Sequence, residues 1–209
     1  MSEEEDSAVA NLQWNHTIEV LLSKWCDQAK CFGWMHTEAY SLYDYRAKVL
    51  TITSNVVAAV SGLSNVIAGG DSLGGFQLSW IFGSLAIVVS ITNMLQEKLA
   101  YATAATEFKL YSNAWCVIRR KIEEQLAMPP GSRKDCGTFL KYIRQDINQV
   151  SQDGSAKIPQ HIRLACFDRF SKIQDFELPD ICGEMEHTAI YIETIRESPT
   201  RALLSVNRG

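Results

Sequence analysis

The residues whose spacing most suggests chemistry are the glycines of "VIAGGDSLGGF", residues 66–76, because glycine-rich loops often cradle phosphates. A P-loop places four residues and then Gly-Lys-Ser/Thr after its first glycine, and here Phe76 stands where the lysine belongs. A dinucleotide fingerprint follows a β-strand, whereas this loop follows a long apolar block. We therefore interpret the loop as a turn between helices, formed by Gly69, Gly70, Asp71, Gly74 and Gly75.

The side chains that bind metals or attack substrates are dispersed. Six cysteines include no Cys-x-x-Cys pair, which indicates reduced thiols rather than zinc ligands. Cys31 and His36 are five residues apart and so lie on different faces of a helix. We expect solvated or interfacial histidines, and a solvated helix face around His187 with Asp180, Glu184 and Glu186. The sequence therefore predicts no enzyme, no metal and no cofactor.

Two uncharged blocks indicate the elements that carry this turn. Val49–Ala68 and Phe76–Gln96 each have the roughly 20 residues that cross a bilayer core of about 30 Å. The link of seven residues, 69–75, allows only an antiparallel arrangement. We predict a transmembrane helical hairpin at residues 47–97. The alternative is a buried hairpin in a soluble bundle, which the serines, threonines and asparagines of the first block favour.

Small and polar residues form one stripe on each block, at steps of three and four residues. We predict that these stripes pack the helices within and between hairpins, since small side chains permit close approach and amides bond across helices. The alternative is that they line a pore after oligomerisation. The candidate residues are Ser54, Ser61, Asn65, Gly83, Ser90 and Asn93.

Flanking charges predict the orientation. Arg46 and Lys48 precede the hairpin and Lys98 follows it, while the turn carries only Asp71. The positive-inside rule then places both termini in the cytosol. The acidic start is not that of a cleavable signal peptide. The formal net charge of −4 without clustered basic residues gives no nucleic-acid footprint.

The rest of the chain predicts helices only, so the fold class is all-α. An acidic tail and an amphipathic helix (about residues 8–46) fill residues 1–46. Residues 98–128 continue the second helix without a break until "MPPG". Short helices fill 129–197, with a capping box at "SRKD" (132–135), a loop at 151–155 and first-turn prolines at Pro159 and Pro179, and a tail covers 198–209. The apolar stripe expected to pack on the N-terminal helix is Phe108, Tyr111, Trp115, Ile118, Ile122 and Leu126. The face of the N-terminal helix expected to meet it is Leu12, Ile18, Leu21, Leu22, Trp25 and Phe32.

Aromatic residues cluster before the hairpin. Tyr43 and Tyr45 suit a membrane-interface belt, whereas Trp25 and Trp34 are expected to pack around Trp115. Together with Cys31-Phe32 and His36, the "SGLSN" of the first block and "EFKLYSNAWCVIRRKIEEQL", this pattern resembles the SLATT proteins, two-transmembrane effector domains, in the form encoded by large nucleocytoplasmic DNA viruses.

The resemblance implies an oligomeric hairpin that forms a pore or remodels a membrane. The alternative is a structural protein that anchors the internal membrane of a virus particle to its capsid or to a scaffold protein through the cytosolic helices. A soluble helical scaffold is the third reading. The expected partners are therefore the lipid bilayer, further copies of the chain and, in the second reading, a capsid protein.

Overall fold

The computed structural model describes residues 12–68, 75–154 and 158–183, and these residues form helices and no strand. The fold class is therefore all-α, as predicted. The five α-helices are α1 (His16–Ala68), α2 (Gly75–Leu99), α3 (Tyr101–Ala127), α4 (Cys136–Gly154) and α5 (Gln160–Phe170). Two short 3-10 helices, Pro130–Ser132 and Asp180–Cys182, complete the described chain.

Helix α1 is a single helix of 53 residues, about 80 Å long, which both α2 and α3 pack against. The sequence divides the same stretch into a helix ending near residue 46 and a separate apolar block. The structure joins the two because no proline interrupts them. At its start, the Asn15 side chain accepts a 2.9 Å hydrogen bond from the Ile18 N–H and so caps the helix.

One core cluster lies between the first half of α1, the end of α3 and α4. It buries the α3 residues Trp115, Ile118 and Ile122, which confirms this part of the predicted stripe. On α1, Ile18 and Leu22 are buried as expected. Leu12 and Leu21, on the same predicted face, are about 40% exposed. Apolar side chains contributed from α1 and α4 to this cluster include Cys26, Ala29, Cys136, Phe139, Leu140 and Ile143.

A second core cluster lies further along α1, where α5 packs. Phe108 of α3 and Met35 of α1 are buried there against Ile162 of α5. Phe32 contacts both clusters and stacks on Trp115 with ring centroids 4.7 Å apart. The bundle is therefore continuous from the start of α1 to the region where α5 begins.

Several boundaries differ from the sequence expectations. Helix α3 ends at Ala127 before the Pro129-Pro130 pair, as predicted. The cap of α4 is Asp135 rather than Ser132, since Asp135 Oδ2 accepts a 2.8 Å bond from the Thr138 N–H. Helix α4 runs to Gly154, through the first four residues of the predicted loop.

The predicted helix after Pro179 also differs. Its described part is only the 3-10 turn Asp180–Cys182. The rest of that prediction, like the acidic start and the tail, lies outside the described residues.

The predicted unbroken helix over 84–128 is wrong at one residue. Ala100 has φ 43° and ψ 37°, a left-handed conformation that separates α2 from α3. This conformation costs a residue other than glycine about 1–2 kcal/mol. Alanine has the highest helix propensity of all residues, so local sequence gives no signal of this break.

Within the described residues, we find no helix with the length and apolar content of a membrane-crossing segment. The side chains of α2 are described only from residue 83 onward, so this finding covers only part of the uncharged block Phe76–Gln96.

Candidate functional site: a hairpin with polar bonds between its arms

Two side-chain hydrogen bonds join α2 to the second half of α1. The Ser54 hydroxyl donates to Asn93 Oδ1 at 2.6 Å. The Gln96 amide donates to Thr51 Oγ1 at 3.1 Å. Moving three residues forward on α1 moves three residues back on α2, so the two arms are antiparallel, as predicted for a hairpin. Ser54 is only 6% exposed, and it therefore places a polar group at the contact between the arms.

The hairpin exposes many large apolar side chains, together with polar residues such as Thr53, Asn55 and Ser90. These apolar side chains are 42–62% accessible, and on α1 they are Val49, Ile52, Val56 and Val60. On α2 they are Ile87, Val88, Ile91, Met94, Leu95 and Leu99. A water-soluble helical pair places apolar side chains between its helices and polar ones outside. In the described part of the hairpin, the hydrogen-bonded hydroxyl of Ser54 is buried between the arms, while these large apolar side chains are exposed.

The six stripe residues separate into three groups. Ser54 and Asn93 bond to each other across the arms. Gly83 and Ser90 are exposed, and a Cβ added at Gly83 would meet no atom within 4 Å. The side chains of Ser61 and Asn65 lie outside the described residues. Packing within the hairpin therefore uses Ser54 and Asn93, and the predicted role of Gly83 and Ser90 between subunits stays a prediction.

Most of the predicted turn lies outside the residues that the structure describes. Gly69, Gly70, Asp71 and Gly74 are outside the described residues, while Gly75 is the first residue of α2. The sequence assignment of these glycines to a turn therefore stays a prediction.

The tryptophans and the histidine of the family pattern belong to the bundle. Trp115 is 3% exposed and Trp25 packs partly buried in the same cluster, while Trp34 contacts Phe170 edge to face at 5.8 Å. The sequence predicts a solvated or interfacial His36, whereas the structure buries it fully, and its Nδ1–H donates to the Phe32 carbonyl at 2.7 Å. A backbone carbonyl can only accept, which assigns this ring proton to Nδ1.

The two tyrosines of the predicted interface belt differ from each other. Tyr45 is 67% exposed. Tyr43 packs at the base of the hairpin, with ring centroids 5.8 Å from Tyr101 and 5.2 Å from Phe108. The Arg46 guanidinium lies 5.8 Å from the Tyr43 centroid, within the range of a cation–π contact. Only Tyr45 therefore has the exposure that a membrane-interface residue needs.

A buried group of sulfur atoms is a feature that spacing does not reveal. Cys31 of α1, Cys166 of α5 and Cys182 of the last 3-10 turn share the second core cluster with Met35, whose Sδ lies 3.9 Å from Cys182 Sγ. Hydrogen bonding with Cys182 lowers the pKa of Cys166, while hydrogen bonding with Cys31 and burial raise it more, giving about 12. All six cysteines are free thiols, as predicted. The described residues contain no cluster of three side chains suited to bind a metal.

A cavity of about 450 Å³ lies where the hairpin meets the bundle, beside the break at Ala100. Its walls are Ala47, Leu50 and Thr51 of α1, Asn93, Gln96 and Glu97 of α2, and Ala100 to Thr103. The two hydrogen bonds between the arms involve three of these wall residues. The cavity therefore adjoins both polar contacts of the hairpin and the break at Ala100.

No protein-family model, curated protein or solved structure matches the chain. The distinguishing feature of the site is the pair of polar bonds between the arms of a hairpin that exposes large apolar side chains.

Proposed function

We propose that this chain is a non-enzymatic membrane protein whose hairpin inserts into a lipid bilayer and self-associates into a pore or a membrane-remodelling assembly. The polar bonds between two arms that expose large apolar side chains carry the proposal. In hydrocarbon, aliphatic side chains face lipid without cost, whereas hydroxyl and amide groups must bond to one another. The Ser54–Asn93 and Thr51–Gln96 pairs meet that requirement for four polar side chains.

The charge distribution agrees with insertion. No charged residue other than Asp71 occurs between Lys48 and Glu97, and basic residues flank both ends. The described residues alone do not supply a full span. The proposal therefore depends on the whole uncharged block Phe76–Gln96, whose sequence is long enough for a bilayer core. The resemblance to SLATT proteins is consistent with the same role.

Membrane insertion is tested with a pair of matched lysine substitutions. Ile87 on the hairpin is 62% exposed and Leu110 on the bundle is 66% exposed, so Ile87→Lys and Leu110→Lys are equally tolerable in water. In a bilayer centre a lysine costs about 2.5–3.5 kcal/mol. We expect the wild-type chain and Leu110→Lys to float with liposomes and resist carbonate extraction, and Ile87→Lys to lose flotation.

Equal flotation of both variants, or recovery of the wild-type chain in the soluble fraction, contradicts insertion and favours the soluble scaffold. Dye-loaded vesicles test the second step. We expect leakage with the wild-type chain and less with Asn93→Leu, which removes the polar bond between the arms. Full incorporation into vesicles that stay tight contradicts the pore and favours the structural anchor.

A further inference from the structure

The residue that separates α2 from α3 is in a conformation that its own side chain disfavours. Ala100 is left-handed, and no side chain caps the start of α3 there. In this conformation the Cβ of an L-residue approaches the following carbonyl oxygen, which is why glycine usually occupies such positions. The surrounding structure must therefore hold Ala100 in place.

The break removes part of the helical hydrogen-bond ladder and leaves the rest intact. Ala100 N–H still donates to Gln96 at 3.2 Å, and Ala104 N–H donates to the Ala100 carbonyl at 3.0 Å. Between them, the N–H groups of Tyr101, Ala102 and Thr103 make no ladder bond to the carbonyls four residues earlier. A straight helix through Ala100 would gain these three bonds.

The sequence is compatible with that straight helix. No glycine or proline occurs between Ser84 and Ala127, and alanine is the best helix former. Asn93, which bonds to α1, and Phe108, which is buried against α1, are fifteen residues apart, about 4.2 helical turns, so they lie on nearly the same face of a straight helix. Straightening therefore needs no change of face.

Contacts between the arms oppose straightening. Asn93 and Gln96, which bond to Ser54 and Thr51, lie seven and four residues before the break. The cavity of about 450 Å³ beside Ala100 provides the space in which the α2 axis can move relative to α3. The two hydrogen bonds between the arms thus favour the bent form, and the three ladder bonds favour the straight form.

We propose that Ala100 is a two-state joint. In the bent state, α2 bonds to α1 through Ser54 and Thr51 and Ala100 is left-handed. In the straight state, α2 and α3 form one helix, the three missing ladder bonds are made, and the two bonds between the arms are broken. The joint belongs to the chain itself and does not depend on whether the hairpin meets a bilayer.

A pair of glycine substitutions in the purified full-length chain tests the strain. Glycine adopts the left-handed conformation without steric cost, so Ala100→Gly should raise the melting temperature. Ala114→Gly, within right-handed α3, should lower it. For a chain of this size we expect opposite shifts of about 2–4 °C, measured by circular dichroism. A decrease with Ala100→Gly like that of Ala114→Gly overturns the proposal.

A distance measurement tests the two states. Spin labels replace the exposed side chains of Ile91 and Leu110, one on each side of the joint, in a chain with Cys116→Ser. In a straight helix these positions are about 28 Å apart along the axis, and the bent form is shorter. We expect Ser54→Ala combined with Gln96→Ala to populate the longer distance, and Ala100→Gly to restore the shorter one. A single short distance in the double variant overturns the proposal.

Discussion

The Ser54 hydroxyl donates a 2.6 Å hydrogen bond to Asn93 Oδ1 and joins two helices at points that are 39 residues apart in the chain. Thr51 and Gln96 repeat this relationship one turn nearer the bundle. Because a hydrogen bond tolerates little displacement, these two pairs set the register in which α2 lies along α1. Of these four side chains, Ser54 is the buried one.

Loss of the buried Ser54 hydroxyl should weaken the contact between α1 and α2. Ser54→Ala removes the donor of the bond at a site that is only 6% exposed, and we expect a loss of about 0.5–1.5 kcal/mol in the free energy of unfolding. Chemical denaturation followed by circular dichroism measures it. Ser90→Ala, on the exposed face of α2, is the control and should change stability little. A loss equal to that of the control would show that the bond contributes nothing.

Arg133 should be among the most sensitive polar residues of the bundle. Its side chain is 6% exposed, and its guanidinium pairs with Glu19, donates to the Met128 carbonyl at 2.8 Å and lies 4.9 Å from the Trp14 centroid. Arg133→Met leaves Glu19 without this partner, so we expect a loss of about 3 kcal/mol. Urea unfolding measures the loss, with Arg144→Met on the exposed face of α4 as the near-neutral control. Equal midpoints for the two variants contradict the prediction.

Thiol modification should follow burial. The thiolate is the reactive form of cysteine, and Cys116 alone among the six is not buried. We expect iodoacetamide to modify Cys116 first in the native chain and to reach the other five only on unfolding, as followed by peptide mass spectrometry. Rapid native modification of Cys31 or Cys166 would contradict the packing of the second core cluster.

The same cluster should make stability depend on alkaline pH. The folded pKa of Cys166, about 12, is raised from the ordinary value of 9.0. The stabilisation from its neutral form is therefore complete below pH 9 and decreases as the pH rises from 9 towards 12. The hydrogen bond with Cys166, and then burial, also raise the pKa of Cys182.

Replacement by serine tests this pH dependence, because a hydroxyl does not ionise in that range. Urea midpoints at pH 7, 9 and 10 should fall less steeply for Cys166→Ser than for the wild-type chain. Cys116→Ser should keep the wild-type slope. If the urea midpoints of Cys166→Ser and the wild-type chain fall equally with pH, ionisation of Cys166 is not the cause of the lost stability at alkaline pH.

Local patterns predict much of this fold. The steps of three and four from Phe108 to Ile122 mark the buried face of α3, and the proline pair at 129–130 marks its end. Absence of strand alternation predicts the all-α class. In the hairpin, the stripes containing Ser54 and Asn93 predict contact between the two helices, because residues three and four apart share a helix face, and these two residues do bond to each other.

The sequence by itself therefore determined the all-α class, most of the helical segments, which face of α3 is buried and that the two uncharged blocks run antiparallel. Only the tertiary structure decided that α1 is one helix of 53 residues, that Ala100 interrupts the helix after it, and that Cys31, Cys166 and Cys182 meet. Helical periodicity depends on neighbours within a few residues. The joint at Ala100 and the thiol cluster instead depend on how separate helices pack, and no spacing along the chain records that.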